Sequence, residues 1–269
     1  MSNIRVDLNT EFLIGEKDGS VGRLIFNNPA QRNAVKLEMW QAIPTVIKAF
    51  EDDDNIKVVV LQGAGDKAFV SGADISEFEK VRSTPESTKD YENAADGAMN
   101  RISTCSKPTI AMIRGWCMGG GAGIAVSCDI RMASNDSRFG IPAAKLGVGY
   151  RVAGIAKLVD LVGPSFAKEI FYTGRPFDAK EAETMGLVNR LFEPDALQAG
   201  VDEYCEIMSQ NAPMTISSVK QMVGQIIRKD GPIDADYCEQ LVDDCFASED
   251  YIEGRTAFME KRKPVFKGK

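Results

Sequence analysis

The chain has 269 residues, of which 44% are apolar and 26% are charged, and its formal net charge is −7. This composition predicts a globular protein with one large domain or a main domain and a smaller terminal one, and the acidic balance disfavours nucleic acid as a partner. The chain has no histidine, which excludes a Ser-His-Asp triad, a Cys-His dyad and an H-E-x-x-H zinc site.

Predicted strands and helices alternate through the first part of the chain. In chain order they are a strand in 21–29, a helix from Leu37, a strand in 56–65, a short strand and small-residue turn in 67–78, a polar helix in 83–106, a strand in 107–117, a helix opened by the glycines at 119–121, and short strand material in 131–142. From Val152 the pattern is helical almost to the end. This order predicts an α/β core, over residues 1–200, followed by a helical C-terminal region, over residues 201–269.

No predicted apolar run is long enough to cross a bilayer, and the N-terminus is too polar for a secretory signal. A cytoplasmic protein without a membrane partner is therefore expected. The six cysteines form no C-x-x-C pair, so neither a zinc ribbon nor a redox motif is predicted.

Three consecutive glycines, Gly119 to Gly121, stand between a predicted strand and a predicted helix. The first N–H groups of a helix have no intrahelical partner, and the helix dipole favours negative charge beside them. The segment does not fit G-x-G-x-x-G, because Ile124 occupies the last position, so a developing oxyanion is a better ligand than a nucleotide phosphate. The alternative is that the glycines only allow a strand and a helix to pack closely.

A second small-residue turn, SGAD at 71–74, also follows a predicted buried strand. Two such turns can direct one amide each to a shared oxygen, which is a common construction of an oxyanion hole. The sequence therefore predicts that the two turns meet.

Five segments resemble the crotonase family, the enoyl-CoA hydratase/isomerase superfamily. They are RLIFNNPAQRNA, VVVLQGAGDKAFVSGADISEF, KPTIAMIRGWCMGGGAGIAVSCDIRMAS, FYTGRPFDAKEAETMGLVNRLF and EGRTAFMEKRKPVF, in the family's order and nearly end to end. The resemblance implies a spiral of ββα units with a helical C-terminal trimerisation region. It also implies a role in fatty acid metabolism, acyl-CoA thioester substrates, homotrimers or hexamers, no metal, and no cofactor beyond the CoA of the substrate.

The resemblance further implies positions for the site. The oxyanion-hole amides are those of Ala73 and Gly120. The implied CoA contacts are Gln31, Arg32, Asn33 and Ala34 in one turn, Ala73, Asp74 and Ile75 in the next, and the C-terminal residues Phe258 and Lys261, which in some members come from a neighbouring subunit.

Both glutamates that hydratases of this family use as acid and base are absent. Their positions hold Gly123 and Ala143, which cannot move a proton. Each loss costs hydration a factor of about 10²–10⁴ unless another group replaces the carboxylate. Glu77 and Glu79 are candidate replacements, with a solvated helix face as the alternative.

Tyr150, in LGVGYR, resembles the tyrosine with which methylmalonyl-CoA decarboxylases of this superfamily hold a departing carboxylate. Decarboxylation forms an enolate directly and needs no strong base, and Arg151 offers a bidentate carboxylate partner. The decarboxylases differ in having an acidic residue where Gly123 stands and a proline where Gly149 stands. The alternatives are that Tyr150 fills the acyl pocket and that Arg151 forms a structural salt bridge.

Three other residues have side chains that could take part in catalysis. Asp129 is predicted to be structural, and Cys117 and Cys128 would need a cation or the helix dipole to become nucleophiles. The sequence thus predicts a CoA-thioester lyase, and decarboxylation is the most specific form of this prediction. The alternatives are a conventional hydratase or isomerase with an unusual acid or base, and a protein that binds acyl-CoA without turnover.

Overall fold

The computed structural model describes residues 5–269. Within them the strands are β1 (Leu13–Asp18), β2 (Val21–Phe26), β3 (Val58–Gly63), β4 (Ala68–Val70), β5 (Thr109–Ile113), β6 (Trp116–Met118), β7 (Ile130–Ser134), β8 (Arg138–Gly140), β9 (Phe177–Asp178) and β10 (Arg190–Phe192). They form a large sheet in the order β1-β2-β3-β5-β7-β10 and a small sheet in the order β4-β6-β8-β9.

The helices lie between these strands and then continue alone to the C-terminus. They are α1 (Leu37–Asp52), α2 (Phe78–Val81), α3 (Pro85–Ser103), α4 (Gly120–Ser127), α5 (Ala143–Leu146), α6 (Val152–Thr173), α7 (Ala179–Thr184), α8 (Leu197–Ser209), α9 (Pro213–Ile227), α10 (Ala235–Ala247) and α11 (Glu249–Glu260). No helix within residues 5–269 combines the length and the apolar character needed to cross a bilayer.

A ββα unit repeats along the chain. In each of three consecutive units, a strand of the large sheet is followed by a strand of the small sheet and then by helix, as in β3-β4-α3, β5-β6-α4 and β7-β8-α6. The strands of successive units pair in parallel in both sheets. Because β4, β6 and β8 of the small sheet run in one direction, the turns that follow these three strands meet at one edge. The predicted α/β class is confirmed, and the repeat forms a spiral.

The large sheet is covered on both faces, which explains its continuous apolar runs. One face contacts α1 and α3 through a core that includes Trp40, Ile47 and Leu61. The other face contacts α8, where Val201 and Cys205 pack against Val58, Val60 and Ile110. The predicted division after residue 200 therefore falls inside a helix that packs on the core.

The part of the chain after Val152 contains two short strands that the sequence pattern did not predict. The strand β9 pairs antiparallel with β8, and β10 pairs parallel with β7. Each has only two or three residues, so it has no periodicity of its own and depends on partners far away in the chain. The long helix α6 is interrupted at Gly163, whose φ is 74°.

The C-terminal helices expose apolar side chains on their outer surface. These side chains include Val219, Val223, Ile226, Phe246 and Ile252. Such a surface fits the predicted trimerisation region, which remains a prediction.

Candidate active site

A cavity of about 200 Å³ lies at the edge where the turns after the small sheet meet. Its walls come from the turn after β4, the glycines that open α4, the segment from Ile141 to Ala143, residues 148–151 and one face of α3. The structure therefore brings five of the predicted site residues into one cavity. They are Ala73, Ile75, Gly120, Tyr150 and Arg151.

Ala73 and Gly120 are neighbours in this wall, and each has a main-chain N–H group without an acceptor in the described chain. Ala73 forms an isolated parallel bridge with Val35, in which Gly72 O accepts from Val35 N at 2.8 Å and Asp74 N donates to Val35 O at 2.9 Å. Since neighbouring residues of an extended segment direct their N–H groups to opposite sides, the N–H of Ala73 faces away from Val35. A Cβ atom built on Gly120 would stand 3.7 Å from Ala73 N.

The N–H of Gly120 is free for a different reason. Gly120 is the first residue of α4, and the first N–H groups of a helix have no intrahelical acceptor. Gly119, just before it, has a φ of 52°, which favours glycine, and its own N–H donates to Gly140 O at 2.8 Å. The positive end of the α4 dipole therefore faces the cavity beside Ala73.

The glycine run also lets α4 pack close to the small sheet. A Cβ atom on Gly121 would stand 2.2 Å from Val70 O, so no other residue fits there without backbone movement. Both interpretations of the glycines, exposed amides and close strand–helix packing, thus have a structural basis.

Gly123 and Ala143, the two positions at which the resemblance implies that glutamates are absent, also line the cavity. Ala143 is buried at the start of α5. Neither of the candidate replacements from the sequence, Glu77 and Glu79, lies in the cavity wall. Glu77 Oε2 accepts from Leu37 N at 3.1 Å, and Glu79 is exposed.

Two carboxylates that the sequence analysis did not single out do line the cavity. Glu92 and Asp96 lie on α3 and face Arg151, whose Nε is 2.8 Å from Glu92 Oε2 and whose Nη1 is 2.9 Å from Asp96 Oδ2. The signal was their i, i+4 spacing on the border of the buried side of α3, where Tyr91 marks the inner face.

Arg151 is therefore bound by side chains of the protein itself. Besides the two carboxylates, its Nη1 donates to Asn93 Oδ1 at 3.1 Å. The alternative considered from the sequence, a structural salt bridge, describes these contacts, although the side chain still lines the cavity.

Tyr150 lies at the rim of the cavity, with its ring edge-on to Phe171 at a centroid distance of 5.0 Å. Burial raises the pKa of its phenol above the ordinary value, and the positive charge of Arg82 acts in the opposite direction. The phenol is therefore neutral at neutral pH and can donate a proton in a hydrogen bond.

The turn implied to contact CoA sits beside the SGAD turn. Ser71 N donates to Arg32 O at 3.1 Å, and Ser71 Oγ donates to Gln31 O at 3.3 Å. Gln31 and Arg32 are exposed, whereas Asn33 is buried and its Nδ2 donates to Ala68 O at 2.7 Å. Asn33 and the buried Ala34 thus shape this turn from the inside.

The remaining predicted CoA contacts divide into two groups. Asp74 is buried and its Oδ1 accepts from Ser76 N at 3.0 Å, so its side chain caps the short turn after it. Phe258 and Lys261 lie at the end of α11, are exposed, and do not line the cavity of their own chain. Their contact with CoA remains a prediction.

The other polar candidates have structural surroundings. Asp129 Oδ2 accepts from Thr109 N at 2.7 Å and from Lys220 Nζ at 2.8 Å, which ties α9 to the core. Cys117 and Cys128 are buried, and burial raises the pKa of both thiols, that of Cys128 to about 12. Neither thiol has the low pKa that a nucleophilic cysteine needs.

Known proteins resemble this chain along almost its whole length. Residues 16–269 match the family described as enoyl-CoA hydratase/isomerase. The short-chain-enoyl-CoA hydratase of Clostridium acetobutylicum is 36% identical over 258 residues, which cover 96% of this chain and 97% of that protein. The crotonyl-CoA hydratase of Syntrophomonas wolfei is 31% identical over 260 residues, which cover 95% and 98%.

A solved structure shows the same fold. The crystal structure of an enoyl-CoA hydratase/carnithine racemase from Magnetospirillum magneticum aligns over 97% of both chains, with a TM-score of 0.90 and 34% identity. The fold class predicted from the sequence is confirmed by this match.

Proposed function

Since the chain belongs to the enoyl-CoA hydratase/isomerase family, we propose that it binds an acyl-CoA thioester and stabilises a thioester enolate through the N–H groups of Ala73 and Gly120. The observation that carries this proposal is the approach of these two free main-chain N–H groups in the wall of one cavity. Donors fixed at the place where negative charge develops stabilise a transition state by about 3–4 kcal/mol each.

Hydration or isomerisation of an enoyl-CoA is the reaction that the relatives support. In hydration, the hydroxyl of water adds to Cβ, the electron pair of the double bond moves toward the thioester oxygen, and Cα then takes a proton. This needs a base for the water and an acid for Cα. Glu92 and Asp96 are carboxylates in the cavity wall, and we assign them these roles in place of the missing glutamates.

Under this proposal Arg151 is a positioning residue. It binds both carboxylates and so fixes their orientation, and it neutralises charge that would otherwise repel the enolate. Arg151 then binds carboxylates of the protein, and another group must bind any carboxylate of the substrate.

Decarboxylation is the second candidate, and the surroundings of Tyr150 favour it. In this reaction the bond between Cα and the carboxylate breaks, CO₂ leaves, and the electron pair forms the enolate held by Ala73 and Gly120. Cα then takes a proton from Tyr150 or water. No strong base is needed, which agrees with Gly123 and Ala143.

The substrate supplies its own CoA, and the proposal includes no metal or separate cofactor. We assign CoA contacts to the exposed Gln31 and Arg32 and to the backbone of Ala73 through Ile75. Phe258 and Lys261 would reach CoA from the same or a neighbouring subunit of a homotrimer or hexamer. A cytoplasmic location is part of the same proposal.

Mass-spectrometric turnover of crotonyl-CoA and methylmalonyl-CoA, side by side, tests the proposal. Hydration of crotonyl-CoA supports Glu92 and Asp96 as the acid and base. Loss of CO₂ from methylmalonyl-CoA without hydration of crotonyl-CoA supports decarboxylation. If neither thioester reacts and neither binds, the proposal fails; binding without turnover of either supports an acyl-CoA-binding protein.

A further inference from the structure

Arg82 is an arginine of the cavity wall that follows α2. Its guanidinium carbon lies 4.3 Å from the ring centroid of Tyr91 and 4.6 Å from that of Phe78. Cations are attracted to the faces of aromatic rings, and a guanidinium stacked in this way keeps its N–H donors free at its edge. The two rings therefore hold the cation in place without satisfying its hydrogen-bonding capacity.

No residue between 5 and 269 accepts a hydrogen bond from the Arg82 guanidinium or forms an ion pair with it, and its Nε is buried without an acceptor. Buried donors almost always have a partner, so this Nε can take an acceptor from a ligand. Arg151 makes the contrast within the same cavity, because Glu92 and Asp96 already bind it.

Two phenols line the same cavity as this guanidinium. Tyr91 Oη accepts from Trp40 Nε1 at 2.9 Å, which leaves the proton of Tyr91 free for another acceptor. The hydroxyl of Tyr150 makes no hydrogen bond to any residue of the described chain. Burial raises the pKa of both phenols, and the charge of Arg82 opposes that shift at both, so both are neutral donors in the cavity that this guanidinium lines.

The acidic side chains nearby are engaged elsewhere. Asp74 Oδ1 accepts from Ser76 Oγ at 2.6 Å, and Glu77 Oε2 accepts from Leu37 N. Glu92 and Asp96 face Arg151. The cluster around Arg82 therefore offers one guanidinium and two hydroxyl donors to an anion.

We propose that Arg82, Tyr91 and Tyr150 form a subsite for a carboxylate carried by the acyl group, so that the preferred substrates are acyl-CoA thioesters with a second, negatively charged end. The inference rests on the proposed function and holds for either reaction. Planar carboxylates match the N–H edge of a guanidinium. The cavity, at about 200 Å³, is smaller than the roughly 300–1,000 Å³ of most ligand pockets, which indicates a short acyl chain.

Paired thioesters of equal acyl length test this inference on the full-length protein. The pairs are malonyl-CoA with propionyl-CoA, succinyl-CoA with butyryl-CoA, and glutaryl-CoA with valeryl-CoA. Binding is measured by calorimetry, and kcat/KM replaces Kd for any member that reacts. We expect the charged member of at least one pair to be favoured about tenfold or more, as charge-assisted hydrogen bonds predict.

Arg82→Met should abolish that preference and leave the affinity for the neutral member within about threefold of the wild-type value. Arg175→Met is the matched control, because Arg175 also stacks over a ring, that of Phe177 at 3.9 Å, but is bound by Glu181 and lies outside the cavity. This variant should keep the preference.

The wild-type comparison decides the question even if the Arg82 variant does not fold. No preference for the charged member in any pair, or a preference that survives Arg82→Met, overturns the subsite. Neutral thioesters that bind while charged ones bind no better leave the proposed function standing and remove only this inference. Failure of every thioester to bind overturns both.

Discussion

The sulfur atom of Met99 occupies the space that a side chain on Gly123 would need. Met99 Sδ lies 2.8 Å from the position of a Cβ atom on Gly123, closer than real side-chain contacts allow. At Gly123, where the resemblance implies that a glutamate is absent, a flexible apolar side chain from the facing helix thus fills the space. Methionine is well suited to this, because it is unbranched and adapts to irregular space.

Glutamates placed at positions 123 and 143 should therefore need space for their side chains as well as their carboxylate charge. We expect Met99→Ala combined with Gly123→Glu and Ala143→Glu to raise crotonyl-CoA hydration by about 10² or more, since each acid or base is worth about 10²–10⁴. Glutamate in the first turn of α5 is also compatible with the helix dipole. The same triple variant with glutamine at 123 and 143 is the control. Equal rates from both variants would show that these positions are not aligned with the bound thioester.

A methyl group on Gly120 should prevent a carbonyl oxygen of the substrate from binding between the two amides. Its Cβ would stand 3.7 Å from Ala73 N and 3.2 Å from Trp40 Cζ2, within the space that a bound carbonyl oxygen needs. We expect Gly120→Ala to lower kcat by about 10²–10³, as removal of one oxyanion donor does. Gly97→Ala, on α3 with open space around it, is the control and should raise helix stability by about 1 kcal/mol at most. An unchanged kcat in Gly120→Ala would remove this amide pair from the mechanism.

Neutral versions of the α3 carboxylates should separate hydration from decarboxylation. We expect Glu92→Gln and Asp96→Asn each to lower crotonyl-CoA hydration by about 10²–10⁴ if they are the acid and base. Asp90→Asn, an exposed position on the same helix, should have no effect. Steady-state rates and CoA affinity are measured for each variant. Full hydration activity in both cavity variants would exclude α3 as the source of the proton-transfer groups.

Removal of the Tyr150 hydroxyl should lower the loss of CO₂ from methylmalonyl-CoA while CoA affinity persists. Because burial raises the pKa of this phenol above about 10, the wild-type rate should show no alkaline loss due to Tyr150 between about pH 6 and pH 9. Tyr172→Phe, an exposed tyrosine on α6, is the control. A wild-type rate in the Tyr150→Phe enzyme would show that this residue only lines the pocket and that its hydroxyl has no role in the reaction.

The buried thiols should resist alkylation in the native protein. Burial raises the pKa of Cys117 and Cys128, so almost no thiolate forms at about pH 8, and reagents have no access to either sulfur. Mass spectrometry after iodoacetamide treatment should find label first on the half-exposed Cys238 and Cys245. Denaturant should then expose the other thiols to the reagent. Rapid native labelling of Cys117 would contradict the packing of the glycine helix.

The sequence was sufficient for the elements with strong local patterns. The buried runs of β3 and β5, the glycine turn and the SGAD turn carry their own signals, and the resemblance set them in order. The short strands β9 and β10 exist only through pairing with distant partners, so no local pattern marks them.

The site shows the same division. Motifs predicted Ala73, Gly120 and Tyr150, which line the cavity, whereas Arg82 and Glu92 lie in a polar run whose local pattern is that of a solvated helix. Their importance depends on what the cavity places opposite them. The pairing of Arg151 with its partners was also beyond sequence pattern, since those partners are more than fifty residues away on α3.

The amides of Ala73 and Gly120 belong to the main chain, and most side-chain substitutions leave a peptide N–H in place. Under the proposed function, a lineage with this scaffold can therefore lose its proton-transfer groups and still bind a thioester. Side chains around the thioester site can then change during evolution, one helix face at a time, while the amides stay in place. For the same reason, a classification of such proteins by their carboxylates alone would separate chains that bind the same thioester group of their substrates.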